Sequence, residues 1–286
     1  MTDKADREPS TNPGPGPTAE DLVLESGDSR IVVRPAHGGR IGSVIVAGHE
    51  LLVTGSPDGP VSWGCYPMAP WAGRVRHGRF TFAGREHRLP LGMPPHAIHG
   101  VVYDRPWRVV NSAMIAIELD DRWPFRGRVT QQFALDEAGL DVTMTLEAEE
   151  PMPAVLGWHP WFRRALEIGD EPVILRLVAD EMLLRDVEGL PSGERVPPPP
   201  GPWNDAFTAI REGPVLQWPG RLRLTLAATT SWWVVYSEPE HEICVEPQSG
   251  PPDAFNLGAK NIDLGGRVVQ PGAPLTHVMR WRWTRG

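Results

Sequence analysis

The fold class is decided by residues 129–147, which read VTQQFALDEAGLDVTMTLE. In the second half of this stretch, apolar residues alternate with polar ones at Leu140, Val142, Met144 and Leu146. In the first half, one face carries Gln131 together with Val129, Phe133 and Leu135. A period of two is typical of β-strands with one buried face, and Asp136–Gly139 has the composition of a turn. The stretch therefore predicts an antiparallel hairpin.

The same alternation recurs further along the chain. Apolar residues alternate with polar neighbours at Leu222, Leu224 and Leu226, and near the C-terminus one face is shared by Leu275, His277, Met279, Trp281 and Trp283. No stretch of a dozen residues has the period of an amphipathic helix, and 30 Gly and 32 Pro interrupt the chain at short intervals. We therefore expect an all-β protein, built as a large antiparallel two-sheet β-sandwich.

Two segments differ from this pattern in composition. Residues 1–20 are polar and rich in Pro, Gly and charge, so we expect a disordered tail there. Residues 21–286 are then expected to form a single β-sandwich domain. A second proline-rich segment, Pro191–Pro202, is interpreted as a stiff surface loop over a site or as a short linker.

Composition excludes several classes of function. The 28 Lys and Arg against 36 Asp and Glu give a net charge of −8, which argues against nucleic-acid and anionic-membrane partners. No apolar stretch is long enough to span a bilayer, and the polar start of the sequence predicts a cytoplasmic protein. Two cysteines, Cys65 and Cys244, are too few for a disulfide scaffold or a cysteine-rich zinc module.

Four short segments place polar residues among apolar and aromatic ones, where they could do chemistry. These are Pro70–Arg74 (PWAGR), His96–Gly100 (HAIHG), Leu156–Phe162 (LGWHPWF) and Ile243–Gln248 (ICVEPQ). Glu246 precedes a proline and is expected at the end of a strand. There it is either a general base with a raised pKa or a carboxylate that caps a turn.

His159 is either a general acid or a histidine packed in the core. His96 and His99, together with His159 and Glu246, could supply zinc ligands, although no standard zinc spacing is present. Arg74 could bind a carboxylate, a phosphate or a sugar hydroxyl, or form a salt bridge.

Taken in order, these segments resemble those of the aldose 1-epimerase family, which comprises the galactose mutarotases and their relatives. The resemblance covers nearly the whole chain after the tail, starting at Gly38-Gly39-Arg40-Ile41. It rests on a Pro-x-x-x-Arg motif ending at Arg74, on His99-Gly100, on His159 among aromatic residues, and on Glu246-Pro247-Gln248 with Pro252-Asp253-Ala254-Phe255-Asn256 behind it. The fold that it implies is a large antiparallel β-supersandwich.

The resemblance also implies roles for particular residues. Glu246 resembles the family's catalytic base and His159 its catalytic acid. His99 and Arg74 resemble the residues that hydrogen-bond the sugar, and Asp205 resembles the aspartate that binds sugar hydroxyls. Family members usually carry Asn where this chain has Gly73, and a Thr/Asn-rich approach to the acid histidine where it has Gly157-Trp158. Candidate stacking residues for the sugar are Trp71, Trp158, Trp161 and Trp203.

The implied reaction interconverts the anomers of a free aldose and needs no metal, nucleotide or redox cofactor. A monomer or homodimer acting on a small sugar is expected. One alternative is a hexose-6-phosphate epimerase, with Arg163-Arg164 as the phosphate clamp. The other alternative is a sugar-binding protein without turnover.

A carboxylate base and an imidazolium acid predict a bell-shaped pH profile. We expect attraction between the two charges to outweigh their desolvation, because the cavity must admit a hydrated sugar. The acid limb would then report Glu246 and the alkaline limb His159.

Overall fold

The structure is a computed structural model and describes residues 21–260 and 265–286. The tail predicted for residues 1–20 lies outside the described residues. Two short 3-10 helices, Pro35–His37 and Arg76–Gly78, and one α-helix, α1 (Ala254–Ala259), accompany the strands. The strands are β1 (Leu22–Ser26), β2 (Ser29–Arg34), β3 (Arg40–Val46), β4 (His49–Glu50), β5 (Cys65–Met68), β6 (Arg74–Val75), β7 (Arg79–Phe82), β8 (Arg85–Arg88), β9 (Ala97–Ile98), β10 (Arg108–Asn111), β11 (Met114–Glu118), β12 (Gly127–Leu135), β13 (Gly139–Ala148), β14 (Met152–Ala154), β15 (Gly157–Arg163), β16 (Ile174–Arg185), β17 (Pro191–Val196), β18 (Asn204–Trp218), β19 (Leu222–Ala228), β20 (Trp232–Tyr236), β21 (Glu242–Gln248), β22 (Arg267–Val269) and β23 (Leu275–Arg285).

The hairpin predicted from residues 129–147 is confirmed as β12 and β13. Val129 pairs with Leu146 and Phe133 with Val142, and all four side chains are buried. In the turn, Asp136 Oδ1 accepts hydrogen bonds from the backbone N–H groups of residues 138 and 139, at 2.8 and 2.9 Å. The side chain thus stabilises the reversal that the turn composition predicts.

The strands are arranged in two antiparallel halves that share one long strand. The first half contains, in spatial order, β10, β11, β12, β13, β23 and β19. The second contains β1, β2, β3, β5, β15, β21 and β20. Strand β18 belongs to both, because Asn204 pairs with Tyr236 of β20 while Trp218 pairs with Leu222 of β19.

The two halves pack face to face around an aromatic core. Phe162 of β15 lies 5.0 Å from Trp281 of β23, measured between ring centroids. Trp158 of β15 donates its indole N–H to Gln131 Oε1 of β12 at 3.1 Å, and Gln131 Nε2 donates to the carbonyl of Gly39 at 2.8 Å. Gln131 therefore has partners for both ends of its amide although it is buried. The prediction of an all-β antiparallel sandwich is confirmed.

Two local predictions were wrong. Pro191–Val196 is not loop but strand β17, which pairs with β16; only residues 197–203 connect it to β18. A proline is tolerated as the first residue of a strand, so the composition did not exclude strand structure. Glu246 does not end its strand, because β21 continues through Pro247, which lies opposite Trp233 of β20. The extended geometry imposed before proline is compatible with a continuing strand.

No helix in residues 21–260 and 265–286 has the length and the apolar character needed to cross a membrane.

Candidate active site

The floor of the candidate site is a row of residues on neighbouring strands. Tyr66 of β5 lies opposite His159 of β15, and Glu246 of β21 lies opposite Val234 of β20. Strands β15 and β21 pair at Gly157–Gln248 and at Trp161–Cys244. His159 and Glu246 lie midway between these two pairs, so the register places them across from each other. Residues directly opposite each other in antiparallel strands point to the same face of the sheet. The register alone therefore brings these side chains together.

Glu246 and His159 are in direct contact and nearly completely buried. The distance between Glu246 Oε1 and His159 Nε2 is 3.2 Å. The other carboxyl oxygen, Oε2, accepts a hydrogen bond from Gln248 Nε2 at 2.9 Å. The imidazole lies between two aromatic rings, with centroid distances of 4.8 Å to Tyr66 and 5.3 Å to Trp161. Both functional groups are thus held in fixed orientations.

An open cavity lies over this floor. Six residues singled out from the sequence line it: Arg74, His99, His159, Trp161, Asp205 and Glu246. They come from segments far apart in the chain. The structure therefore brings these six residues together around one cavity.

His99 lies at the side of His159 in a left-handed backbone conformation. Its φ is +59°, and its ring meets that of His159 edge-on at a centroid distance of 5.0 Å. The backbone N–H of His99 donates to the carbonyl of Gly73 at 2.9 Å. This hydrogen bond ties His99 to the segment that carries Arg74, so the two side chains reach the cavity from adjacent backbone.

Arg74 presents a cation to the cavity. Its Nη2 contacts Met93 Sδ at 3.5 Å, and no ion pair to Arg74 is found within the described ranges 21–260 and 265–286. The preceding Gly73 has a φ of +67°, and a Cβ there would lie 2.6 Å from Cγ of Pro252. Glycine at position 73, in place of the family's usual asparagine, thus accommodates close packing on Pro252.

Asp205 has a cationic partner that the sequence did not reveal. Arg185 Nε lies 2.8 Å from Asp205 Oδ1, and Asp205 Oδ2 accepts the backbone N–H of Asn204 at 3.0 Å. All three residues line the cavity. Gln248 was also missed as a functional residue. The alternation within β16 and β21 indicates which face of the sheet Arg185 and Gln248 occupy. It does not indicate which strands lie beside them.

Only one of the four candidate stacking tryptophans borders this cavity. Trp161 does so, whereas Trp71 and Trp158 are buried in the core. The indole of Trp203 donates to the carbonyl of Pro199 at 2.8 Å and lies outside the cavity. The flat faces of Trp158 and Trp71 are occupied by core packing, so Trp161 is the one placed to contact a ligand.

Several residues that line this cavity carry a buried polar atom without a hydrogen-bond partner. Within the part of the chain that the structure describes, four such atoms belong to residues that line it: His99 Nδ1, His159 Nδ1, Trp161 Nε1 and Gln248 Oε1. Buried polar groups in folded proteins are nearly always hydrogen-bonded, so each of these is costly unless something pairs with it. A ligand rich in hydroxyl groups could provide both donors and acceptors.

Burial dominates the protonation of the site. It raises the pKa of Glu246 to about 8, although the hydrogen bond from Gln248 and the charge of Arg74 act in the opposite direction. Burial lowers the pKa of His159 to about 3, and the nearby positive charges of Arg74 and Arg40 lower it further. Burial also lowers the pKa of His99 well below its ordinary value. The expectation that mutual attraction would outweigh desolvation is wrong for the free protein.

Residues considered for alternative chemistry lie elsewhere. His96 Nδ1 faces the backbone N–H of His77 at 3.2 Å, away from His99 and His159. Arg163 Nε donates to a main-chain carbonyl, that of Leu52, at 2.8 Å. Arg164 likewise donates to main-chain carbonyls through Nε and Nη2. A phosphate clamp at Arg163-Arg164 would therefore not face the cavity.

Comparison with known proteins agrees with this geometry. The family model described as aldose 1-epimerase matches residues 20–214 of this chain. The chain belongs to the aldose 1-epimerase family. The match includes Arg74, His99, His159 and Asp205 and ends before Glu246.

Relatives of this family member are distant in sequence. The uncharacterized protein YphB of Escherichia coli is 31% identical over 105 residues, which covers 34% of this chain and 36% of YphB. The galactose mutarotase of Mus musculus is 27% identical over 139 residues, covering 44% of this chain and 40% of the mouse protein. The chain thus matches well under half the length of each.

Solved structures extend the likeness over nearly the whole chain. A galactose mutarotase-like protein from Clostridium acetobutylicum superposes with a TM-score of 0.81 at 16% identity, covering 92% of this chain and 95% of that one. At 16% identity, the likeness shows that this aldose 1-epimerase family member and the Clostridium acetobutylicum protein share a fold.

Proposed function

We propose that this protein is an aldose 1-epimerase that interconverts the α and β anomers of a free aldose, with Glu246 as base and His159 as acid. The observation that carries the proposal is the 3.2 Å distance between Glu246 Oε1 and His159 Nε2 on the cavity floor. The two sugar oxygens that exchange protons during anomerisation are bonded to the same carbon. An acid and a base that serve both oxygens must therefore lie side by side, and membership of the family supports the same reaction.

In the forward step, Glu246 accepts the proton of the anomeric hydroxyl while His159 donates a proton to the ring oxygen. The bond between the anomeric carbon and the ring oxygen breaks, and the open-chain aldehyde forms. Rotation about the adjacent carbon–carbon bond presents the other face of the carbonyl. On ring closure Glu246 returns its proton to the carbonyl oxygen, and the hydroxyl formed from the ring oxygen returns its proton to His159, so the protein ends as it began. Each proton transfer contributes roughly 10²–10⁴-fold to the rate.

The free protein already holds the number of protons that this reaction needs. Between about pH 3 and about pH 8 the pair carries one proton, which burial places on Glu246. The reactive arrangement, with Glu246 ionised and His159 protonated, differs only in the location of that proton. Sugar hydroxyls that donate to the carboxylate stabilise its charged form and favour this transfer.

The remaining lining residues hold the sugar. Arg74 supplies N–H donors to hydroxyl oxygens, and Asp205, oriented by Arg185, accepts hydrogen bonds from hydroxyl groups. The indole of Trp161 packs on an apolar face of the ring. Gln248 donates from Nε2 to Glu246 Oε2 and so orients the carboxylate toward the sugar.

Polarimetry of freshly dissolved α-glucose and α-galactose tests the proposal. The protein is expected to accelerate the decay of optical rotation beyond the buffer rate. Acceleration confined to glucose 6-phosphate or galactose 6-phosphate would instead support the hexose-6-phosphate alternative. Sugar binding by calorimetry without any acceleration would overturn the catalytic proposal in favour of a sugar-binding protein.

A further inference from the structure

A polar cluster beside the cavity consists of Arg76 and three carboxylates. Arg76 Nη2 lies 2.5 Å from Asp186 Oδ2, and Arg76 Nη1 pairs with Glu188. Arg76 Nε lies 3.4 Å from Asp253 Oδ2. The imidazole of His77 also contacts Glu188, through Nε2 at 3.2 Å. Arg76 itself does not line the cavity, so the mechanism above makes no use of it.

Two of these carboxylates belong to the hairpin tip, which we define as residues 186–190 between β16 and β17. Asp186 Oδ1 accepts backbone hydrogen bonds from Glu188 and Leu190, at 2.9 and 3.2 Å. Arg185, directly before the tip, and Leu190, at its end, both line the cavity. The tip is therefore part of the cavity wall, and its position depends on what holds it.

The third carboxylate connects Arg76 to the strand of Arg74. The backbone N–H of Asp253 donates to the carbonyl of Arg74 at 2.7 Å, and Asp253 Oδ1 accepts the backbone N–H of Arg76 at 2.9 Å. Asn256 Nδ2 donates to the same carboxyl oxygen at 2.6 Å. One guanidinium thus joins three segments of the cavity wall: β6, the hairpin tip and the residues before α1.

We propose that Arg76 is a positioning residue that fastens the hairpin tip against β6 and thereby sets the affinity for the sugar, without taking part in proton transfer. The inference rests on the proposed function of the cavity. A single partly exposed ion pair contributes little, but here one cation is shared by three anions. Without Arg76 the carboxylates on the tip and on Asp253 repel each other, and the wall that carries Arg185 moves outward.

The test compares Arg76→Gln with the wild-type protein in anomerisation kinetics. KM is expected to rise about tenfold while kcat stays within about threefold, since the acid and the base are untouched. Glu188→Gln removes one of the three anions and is expected to raise KM less. Arg76→Lys keeps the charge and should recover part of the affinity. Arg211→Gln breaks the Arg211–Asp180 pair between β18 and β16 and is the matched control, expected to leave KM unchanged.

Hydrogen–deuterium exchange without sugar gives a second readout. Amides of residues 183–191 are expected to exchange faster in Arg76→Gln than in Arg211→Gln, and this result stands whether or not the wild-type protein anomerises a sugar. Unchanged exchange and unchanged KM in Arg76→Gln would overturn the proposal, as would a loss confined to kcat. If Arg76→Gln does not fold, the same measurements on Glu188→Gln decide the question.

Discussion

At the scale of single residues, burial reverses the assignment of the two pH limbs. The pKa of Glu246 is raised to about 8 and that of His159 lowered to about 3. The acid limb of kcat/KM should therefore report His159, and the alkaline limb should report loss of the pair's single proton from Glu246. The sequence-based expectation was the opposite, because the degree of burial is not visible in the residues themselves.

His159→Asn makes this reversal measurable. Without the acid, the residual activity needs only an ionised Glu246, so kcat/KM should rise with pH through about 8 instead of falling. The profile is measured by polarimetry and corrected for buffer-catalysed mutarotation. A rise centred near the ordinary pKa of a glutamate, about 4.3, would contradict the role of burial.

Glu246→Gln should separate activity from stability. Anomerisation is expected to fall by roughly 10²-fold or more, because the base is removed while its shape is kept. The variant should instead be more stable than the wild-type protein at alkaline pH. The folded protein binds the Glu246 proton more tightly than the unfolded chain, so wild-type stability falls as pH rises from about 4.5 to about 8. Above that pH range, the free energy of unfolding of the variant should exceed that of the wild-type protein by on the order of a few kcal/mol.

Urea unfolding of both proteins at pH 5 and pH 9 checks the stability difference. A variant advantage that is equal at the two pH values would show that Glu246 is not the titrating group.

At the scale of elements, the turn before β6 depends on a glycine that the resemblance marked as a departure. Gly73→Ala should cost about 1–3 kcal/mol, because the new Cβ meets Pro252 and the backbone has a positive φ. It should also displace Arg74 and weaken sugar binding. Gly84→Ala is the matched control, since Gly84 has a φ of +76° and no atom within 4 Å of its Cβ position. Equal losses of unfolding free energy in the two variants would exclude the contact with Pro252 as the cause.

Individual strands were predictable where a local pattern specifies them. The hairpin of residues 129–147 carries its alternation and its turn within nineteen residues, and both are confirmed. The pairing of His159 with Glu246 could not be predicted from any local pattern, because it depends on β15 lying beside β21. Their proximity was anticipated only through the family resemblance. Arg185, which no motif marked, was missed for the same physical reason.

At the scale of the whole molecule, Gln131 links the two halves of the sandwich. Gln131→Leu would leave the indole N–H of Trp158 and the carbonyl of Gly39 buried without partners. Each such group costs about 1–3 kcal/mol, so the unfolding free energy should fall by roughly 2–6 kcal/mol. Gln132→Leu, on the exposed face of the same strand, is the control. A similar effect of both substitutions in urea titrations would rule out the buried amide as the link.

The double pairing of strand β18 limits where insertions and deletions can occur as this sequence evolves. It carries Asp205 at one end, where β18 pairs with β20, and Trp218 at the other, where it pairs with β19. Loss or gain of one residue in a regularly paired part of β18, residues 204–208 or 215–218, would turn one set of side chains to the opposite face of the sheet. Either the sugar-facing end or the core-facing end would then be inverted. The register shifts at residues 210–215 already take up extra residues. Among related sequences, insertions and deletions should therefore occur in the connection at residues 197–203, while the regularly paired parts of β18 keep their length.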